Sequence, residues 1–155
     1  MNGTPDLLPE VPGLLDITEK RCVTGYQVRK GLSGNWYRDG NTAIEGCPVY
    51  RVAEAYLNYI EADCMEHNGT SIGSEAAGYW GDLRERAGLP RDYTVTVNNT
   101  DLSKELDWAA YSAGKQVSPL LYNIRRERRC ELLAEGLRTV SYTHLRAHET
   151  RSNLV

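Results

Sequence analysis

A chain of 155 residues has room for one ordinary domain or for part of a larger one, which excludes a multidomain assembly. A hydrophobic fraction of 41% excludes wholesale disorder, and 18 basic against 21 acidic side chains, net −3, lack the basic excess that drives binding to phosphate backbones, so no nucleic-acid partner is expected. No run approaches the ~20 consecutive apolar residues that cross a bilayer.

Residues 1–20 are acidic and broken by Pro5, Pro9 and Pro12, and they lack the basic start and apolar stretch of an export signal. They read as an extended lead-in over another surface, and any export signal would precede Met1. Residues 21–30 (RCVTGYQVRK) alternate loosely between apolar and polar positions, which predicts a short strand or hairpin arm. The Gly- and Asn-rich stretch at 31–46 predicts a long loop, and it carries Trp36 and Tyr37.

After Pro48, apolar residues at Val49, Val52, Ala53, Tyr56, Leu57, Ile60 and Cys64 follow the spacing of one helix face. The spacing predicts a helix over 49–66 that starts on Pro48 and stops at His67-Asn68-Gly69. A second helix is predicted over 74–87, with Ser74 as N-cap, with Ala77, Trp80, Leu83 and Ala87 on one face, and with a stop at Gly88 and Pro90. The two would form an antiparallel pair. The run YTVTV at 93–97 is β-prone, and Asn98, Asn99 and Thr100 offer caps for a helix over 101–110. Ser118-Pro119 opens a third strong helix over 118–135, in which Leu120, Leu121, Ile124, Leu132 and Leu133 are apolar and 125–129 is charged on every face. Residues 141–155 (SYTHLRAHETRSNLV) break the pattern, resemble translated sequencing-adapter text, and are read as a non-native tail.

Without that tail one histidine remains, His67, so a Ser/His/Asp or Cys/His arrangement has nothing to build on and no enzyme is expected. Cys22, Cys47, Cys64 and Cys130 contain no C-x-x-C pair, which leaves no metal site and no cofactor to predict; they read as small buried thiols. Glu54 and Glu61 lie seven apart and share a helix face as a carboxylate pair in principle. With Arg51 and Asn58 they read instead as an ion-paired stripe packing on another helix. Arg125, Arg126, Arg128 and Arg129 suggest phosphate binding, but Glu127, Glu131 and Glu135 leave only +1 over 125–135, the balance of a salt-bridged helix. Arg128 falls between Ile124 and Leu132 on the apolar face, where an unpaired charge is costly. Arg128, or its neighbour Arg125, is therefore expected to pair with Glu54 or Glu61. Three Trp and ten Tyr with no Phe suit half-wet stacking surfaces. Tyr56 and Trp80 fall on core positions, whereas Trp36 and Tyr37 have no helix face to bury and are the ligand-binding candidates.

The blocks PVYRVAEAYLNYIEAD (48–63), GYWGDLRERAGLP (78–90) and LLYNIRRERRCELLAEGLR (120–138), with TGYQVRKG (24–31) upstream, resemble the C-terminal part of the SusD/RagB family. These are nutrient-binding outer-membrane lipoproteins of Bacteroidota. The matching positions are Arg51, Ala53, Glu54, Leu57, Asn58, Glu61 and Ala62, then Leu83, Arg84, Arg86, Ala87 and Gly88, then Arg125, Arg129, Glu131, Leu132, Glu135, Gly136 and Arg138. The resemblance implies a mainly α, incomplete domain over 21–140, built of tetratricopeptide-like helix pairs with long loops and at most a short β-hairpin. It also implies a surface-exposed protein of the outer membrane, held by a lipid anchor outside this chain. That protein would capture an oligosaccharide or peptide without catalysis and deliver it to a SusC-like TonB-dependent transporter. Thr139 departs from the Asp-Leu-x-Arg-Trp-like continuation of the family pattern. A helical-repeat adaptor for a protein partner is the alternative, but it calls for self-similarity at about 34 residues, which the chain does not show.

Overall fold

A computed structural model describes Lys30 and residues 49–112 and 114–137. The elements there are helices α1 (Val52–Glu66), α2 (Ser74–Arg86), α3 (Thr94–Asn98) and α4 (Pro119–Glu131). Between α3 and α4 come two 3-10 turns, Leu102–Lys104 and Trp108–Ala110, and a two-stranded hairpin of β1 (Tyr111–Ser112) and β2 (Lys115–Gln116). The fold is mainly helical, and these elements belong to one compact unit that begins at Val49.

The helical spacing of α1 buries Ala53, Leu57, Ile60 and Cys64, and α1 packs against both α2 and α4. Into the same core α2 sends Ala76, Trp80 and Leu83, and α4 sends Leu120, Leu121 and Ile124. Tyr122 is also fully buried, and α3 packs on α4. In the hairpin Tyr111 pairs antiparallel with Gln116 and Ser112 with Lys115, and Gly114 turns the chain at φ +74°.

The end of α1 and the start of α4 are joined by their caps. Asn68 and Gly69 take the left-handed conformation at φ 54° and 75°, and the Gly69 N–H donates to the Cys64 carbonyl at 2.7 Å. Ser118 caps α4 by accepting from the Leu121 N–H at 3.1 Å, and its hydroxyl donates to the Gly69 carbonyl at 2.5 Å. A side chain at Gly69 would place its Cβ 3.2 Å from that hydroxyl oxygen.

Several expectations are corrected. The first helix begins at Val52, after Arg51 in extended conformation, and Val49 and Val52 are exposed rather than core. Gly73, not Ser74, is the N-cap of α2; its N–H donates to Asp63 Oδ2 at 2.6 Å. Most of the β-prone run is helical, over Thr94–Asn98, because Asp92 Oδ1 accepts both the N–H and the hydroxyl of Thr94, a cap that starts a turn, while Tyr93 stacks on Trp80. The helix expected over 101–110 is two 3-10 turns, each begun by an aspartate: Asp101 accepts from the Ser103 N–H and Asp107 from the Ala109 N–H. The last helix stops at Glu131, followed by left-handed Ala134 and Gly136, which leaves Leu133 exposed. Cys64 is buried as expected, but Cys130 is exposed. The lead-in, the arm at 21–30 apart from Lys30, the loop with Trp36 and Tyr37, and the tail 141–155 lie outside the described residues.

Candidate functional site

Arg51, at the N-cap of α1, reaches the end of α4. Its Nε and Nη2 grip the Glu135 carboxylate at 3.1 and 2.6 Å as a two-pronged fork, while Nη1 binds Glu131 Oε1 at 2.9 Å and Nη2 the Glu131 carbonyl at 3.1 Å. Arg86, from the last turn of α2, meets the same Glu131 oxygen at 2.5 Å. Burial pushes the Glu131 carboxyl up, but hydrogen bonds from Arg86 and Arg51 outweigh it and hold the group below its ordinary value. The fork from Glu135 raises Arg51 above its ordinary value, against the opposing effect of burial.

Of the arginines on α4, Arg125 is the buried one, at 8% exposure. Its Nε lies 3.1 Å from Glu61 Oε1, and its Nη1 donates to the carbonyls of Ala109 and Tyr111 at 3.4 and 3.3 Å. Arg128 lies at the edge of the apolar face, half-exposed, and donates to Asn58 Oδ1. Neither arginine reaches Glu54. One turn on, Arg129 pairs with Asp107. A further buried guanidinium, Arg84, stood in the sequence only as one of the positions matching the family pattern, with no partner expected for it. Its Nε donates to the Pro90 carbonyl at 2.8 Å and its Nη2 to Thr96 Oγ1 at 3.3 Å, and its Nη1 stands 3.8 Å from Glu127, which also accepts from Trp80 Nε1. Its position four residues after core Trp80 was the available signal.

Tyrosines gather along the α1–α2 seam. Tyr56 and Tyr79 stack with centroids 4.4 Å apart and planes 9° apart, and Tyr59 meets Tyr79 edge-on at 5.6 Å and 82°. The hydroxyls of Tyr79 and Tyr59 both donate to Glu75, at 2.6 and 3.2 Å. The hydrogen bond to Glu75 pushes the Tyr79 phenol up to about 12, and the charge of Glu75 raises Tyr59. Tyr56, expected in the core, is half-buried; Trp80 is fully buried under Tyr93.

The guanidinium groups of Arg51, Arg84 and Arg125 are engaged with carboxylates and backbone carbonyls. Burial pushes the Cys64 thiol up to about 11, which disfavours its thiolate, and His67 Nδ1 faces the Asp63 carbonyl at 2.8 Å. Among the described residues no group of three or more His, Cys, Asp or Glu is placed to hold a metal, and no helix is long and apolar enough to cross a membrane. Trp36 and Tyr37, the expected ligand contacts, are outside the described residues. Comparison with the curated proteins and with the solved structures gives no match. A protein-family model described as the SusD family matches residues 5–143.

Proposed function

The chain belongs to the SusD family, whose members bind nutrients at the outer membrane, and we propose that it captures an oligosaccharide or a peptide there and delivers it, unaltered, to a SusC-like TonB-dependent transporter. The observation that carries this reading is the family match over 5–143. The geometry supports a non-catalytic role. The sequence blocks that resemble the family supply Arg51, Glu61, Arg125, Glu131 and Glu135, and these side chains are engaged in fastening α1 to α4 and to the turns before it. Arg51, Glu61, Arg125 and Arg128 are structural residues in this account, with Glu54 beside them on α1. The ligand falls to aromatic side chains in loops, and Trp36 and Tyr37 are our candidates for stacking on a sugar face.

A ring stacked on an apolar face contributes roughly 1 kcal/mol, about fivefold in affinity. Calorimetry on the full-length protein with candidate glycans should show Trp36→Ala binding about fivefold more weakly than wild type. Unchanged affinity would move the site away from this loop, and release of shortened glycan would overturn the non-catalytic reading.

A further inference from the structure

On α1 the side that carries Asn58 and Glu61 faces α4, and by helical spacing Tyr56, Tyr59 and Asp63 lie on the opposite edge, beside α2. From α2, Glu75 and Tyr79 project to the same edge. Tyr59 keeps 43% of its surface open. The rings are fixed before anything binds: Glu75 holds two hydroxyls, and Tyr79 is stacked by one ring and met edge-on by another.

Among the described residues the charges nearest these rings are the carboxylates Glu75, Glu66 and Asp63, the last with His67 Nδ1 3.9 Å away. The charges of Glu75, Asp63 and Glu66 all raise the Tyr59 hydroxyl above its ordinary value. Elsewhere on these two helices Glu61 has Arg125, and Asp82 and Glu85 share Arg91, while Glu54 has no guanidinium partner among the described residues. Among the described residues Glu75 and Glu66 have no such partner. Tyrosine faces are themselves negative and attract a cation centred within about 6 Å. An anionic surface such as a phosphate backbone or an acidic membrane is repelled here, and a neutral sugar brings no counter-charge to Glu75 and Glu66.

We propose that the Tyr56–Tyr59–Tyr79–Glu75 edge of the α1–α2 pair docks an arginine or lysine side chain carried by an extended basic segment of a partner polypeptide. The cation lies over the open ring of Tyr59 with Glu75 as its counter-charge. The proposal uses no residue of the loop carrying Trp36 and Tyr37, so it stands or falls apart from the nutrient-binding proposal.

The test is titration of the 155-residue chain with a capped Gly/Ser peptide carrying two arginines, and with the same peptide carrying neutral citrulline in their place. The arginine peptide should bind, and the citrulline peptide should bind several-fold more weakly. Raising salt from about 0.05 M to about 0.5 M should weaken the arginine peptide markedly. Glu75→Gln and Tyr59→Ala should each weaken it about three- to fivefold, while Tyr59→Phe, which keeps the ring, should not. Helical circular dichroism identifies any variant that has lost its fold, and Glu75→Gln, a surface change, keeps the test open if Tyr59→Ala does not fold. Equal binding of the arginine and citrulline peptides, or arginine-peptide binding indifferent to both Glu75→Gln and Tyr59→Ala, would overturn the proposal. So would an oligosaccharide that binds this edge in a Tyr59-dependent way while the arginine peptide does not bind.

Discussion

Replacing Arg125 by methionine keeps most of the side-chain volume but removes the guanidinium that touches Glu61 and the carbonyls of Ala109 and Tyr111. Breaking a fully buried ion pair by removing one partner costs roughly 3–5 kcal/mol. Arg125 is 7% exposed in its side chain but Glu61 is 23%, so water reaches the abandoned carboxylate and the expected loss is nearer ~2–3 kcal/mol. Urea unfolding followed by circular dichroism measures it. Arg125→Met with Glu61→Met leaves no orphaned charge, and the double variant should be more stable than Arg125→Met alone, with a coupling of about 1–2 kcal/mol. Arg128→Met, which gives up only a half-exposed bond to Asn58, should cost under ~1 kcal/mol. Equal losses at Arg125 and Arg128, or strict additivity of the Arg125 and Glu61 changes, would refute the assignment of Arg125 as the buried fastener.

Ser118→Ala removes both the cap of α4 and the tie to Gly69, so its unfolding free energy should fall by about 1–2 kcal/mol in the same assay. Gly69→Ala forces a left-handed backbone on alanine and crowds Ser118, and should lower the melting temperature more than Gly88→Ala, whose added Cβ meets open space at a similar φ. Glu131 sits below its ordinary value in the fold, so its contribution is fully present above the unfolded value and is lost as pH falls through the lower folded value. Stability measured down the acid limb should therefore flatten in Glu131→Gln. Peptide mapping after brief alkylation of the folded chain should find Cys130 modified and Cys64 protected until denaturant is added.

The parts of this fold that could be read from the sequence are those fixed by short-range chemistry. Ser118-Pro119 announced α4 because a hydroxyl and a ring that fixes φ act within one turn, and Asn68-Gly69 and Gly88 announced helix ends because few residues accept φ near +75°. Thr94, Val95, Thr96 and Val97 misled because β-branching is a weak preference, overridden here by the Asp92 cap and the Trp80–Tyr93 stack, a contact across 13 positions. The choice between Arg125 and Arg128 turned on a small rotation of α4. Both flank the apolar stripe, and only the carbonyls of Ala109 and Tyr111 beside Arg125 show which one goes under. The tyrosine edge was invisible for a different reason: Tyr56, Tyr59 and Tyr79 are unremarkable singly, and their meeting depends on how α1 packs against α2.

The claim at the centre of this account is capture of a nutrient without chemistry. Calorimetric titration of the full-length protein with a panel of oligosaccharides and peptides, followed by mass analysis of the ligand recovered from each cell, tests it most directly. The account predicts saturable binding of at least one compound and its recovery at its original mass. A ligand returned shortened, or no binding across both classes, would contradict it.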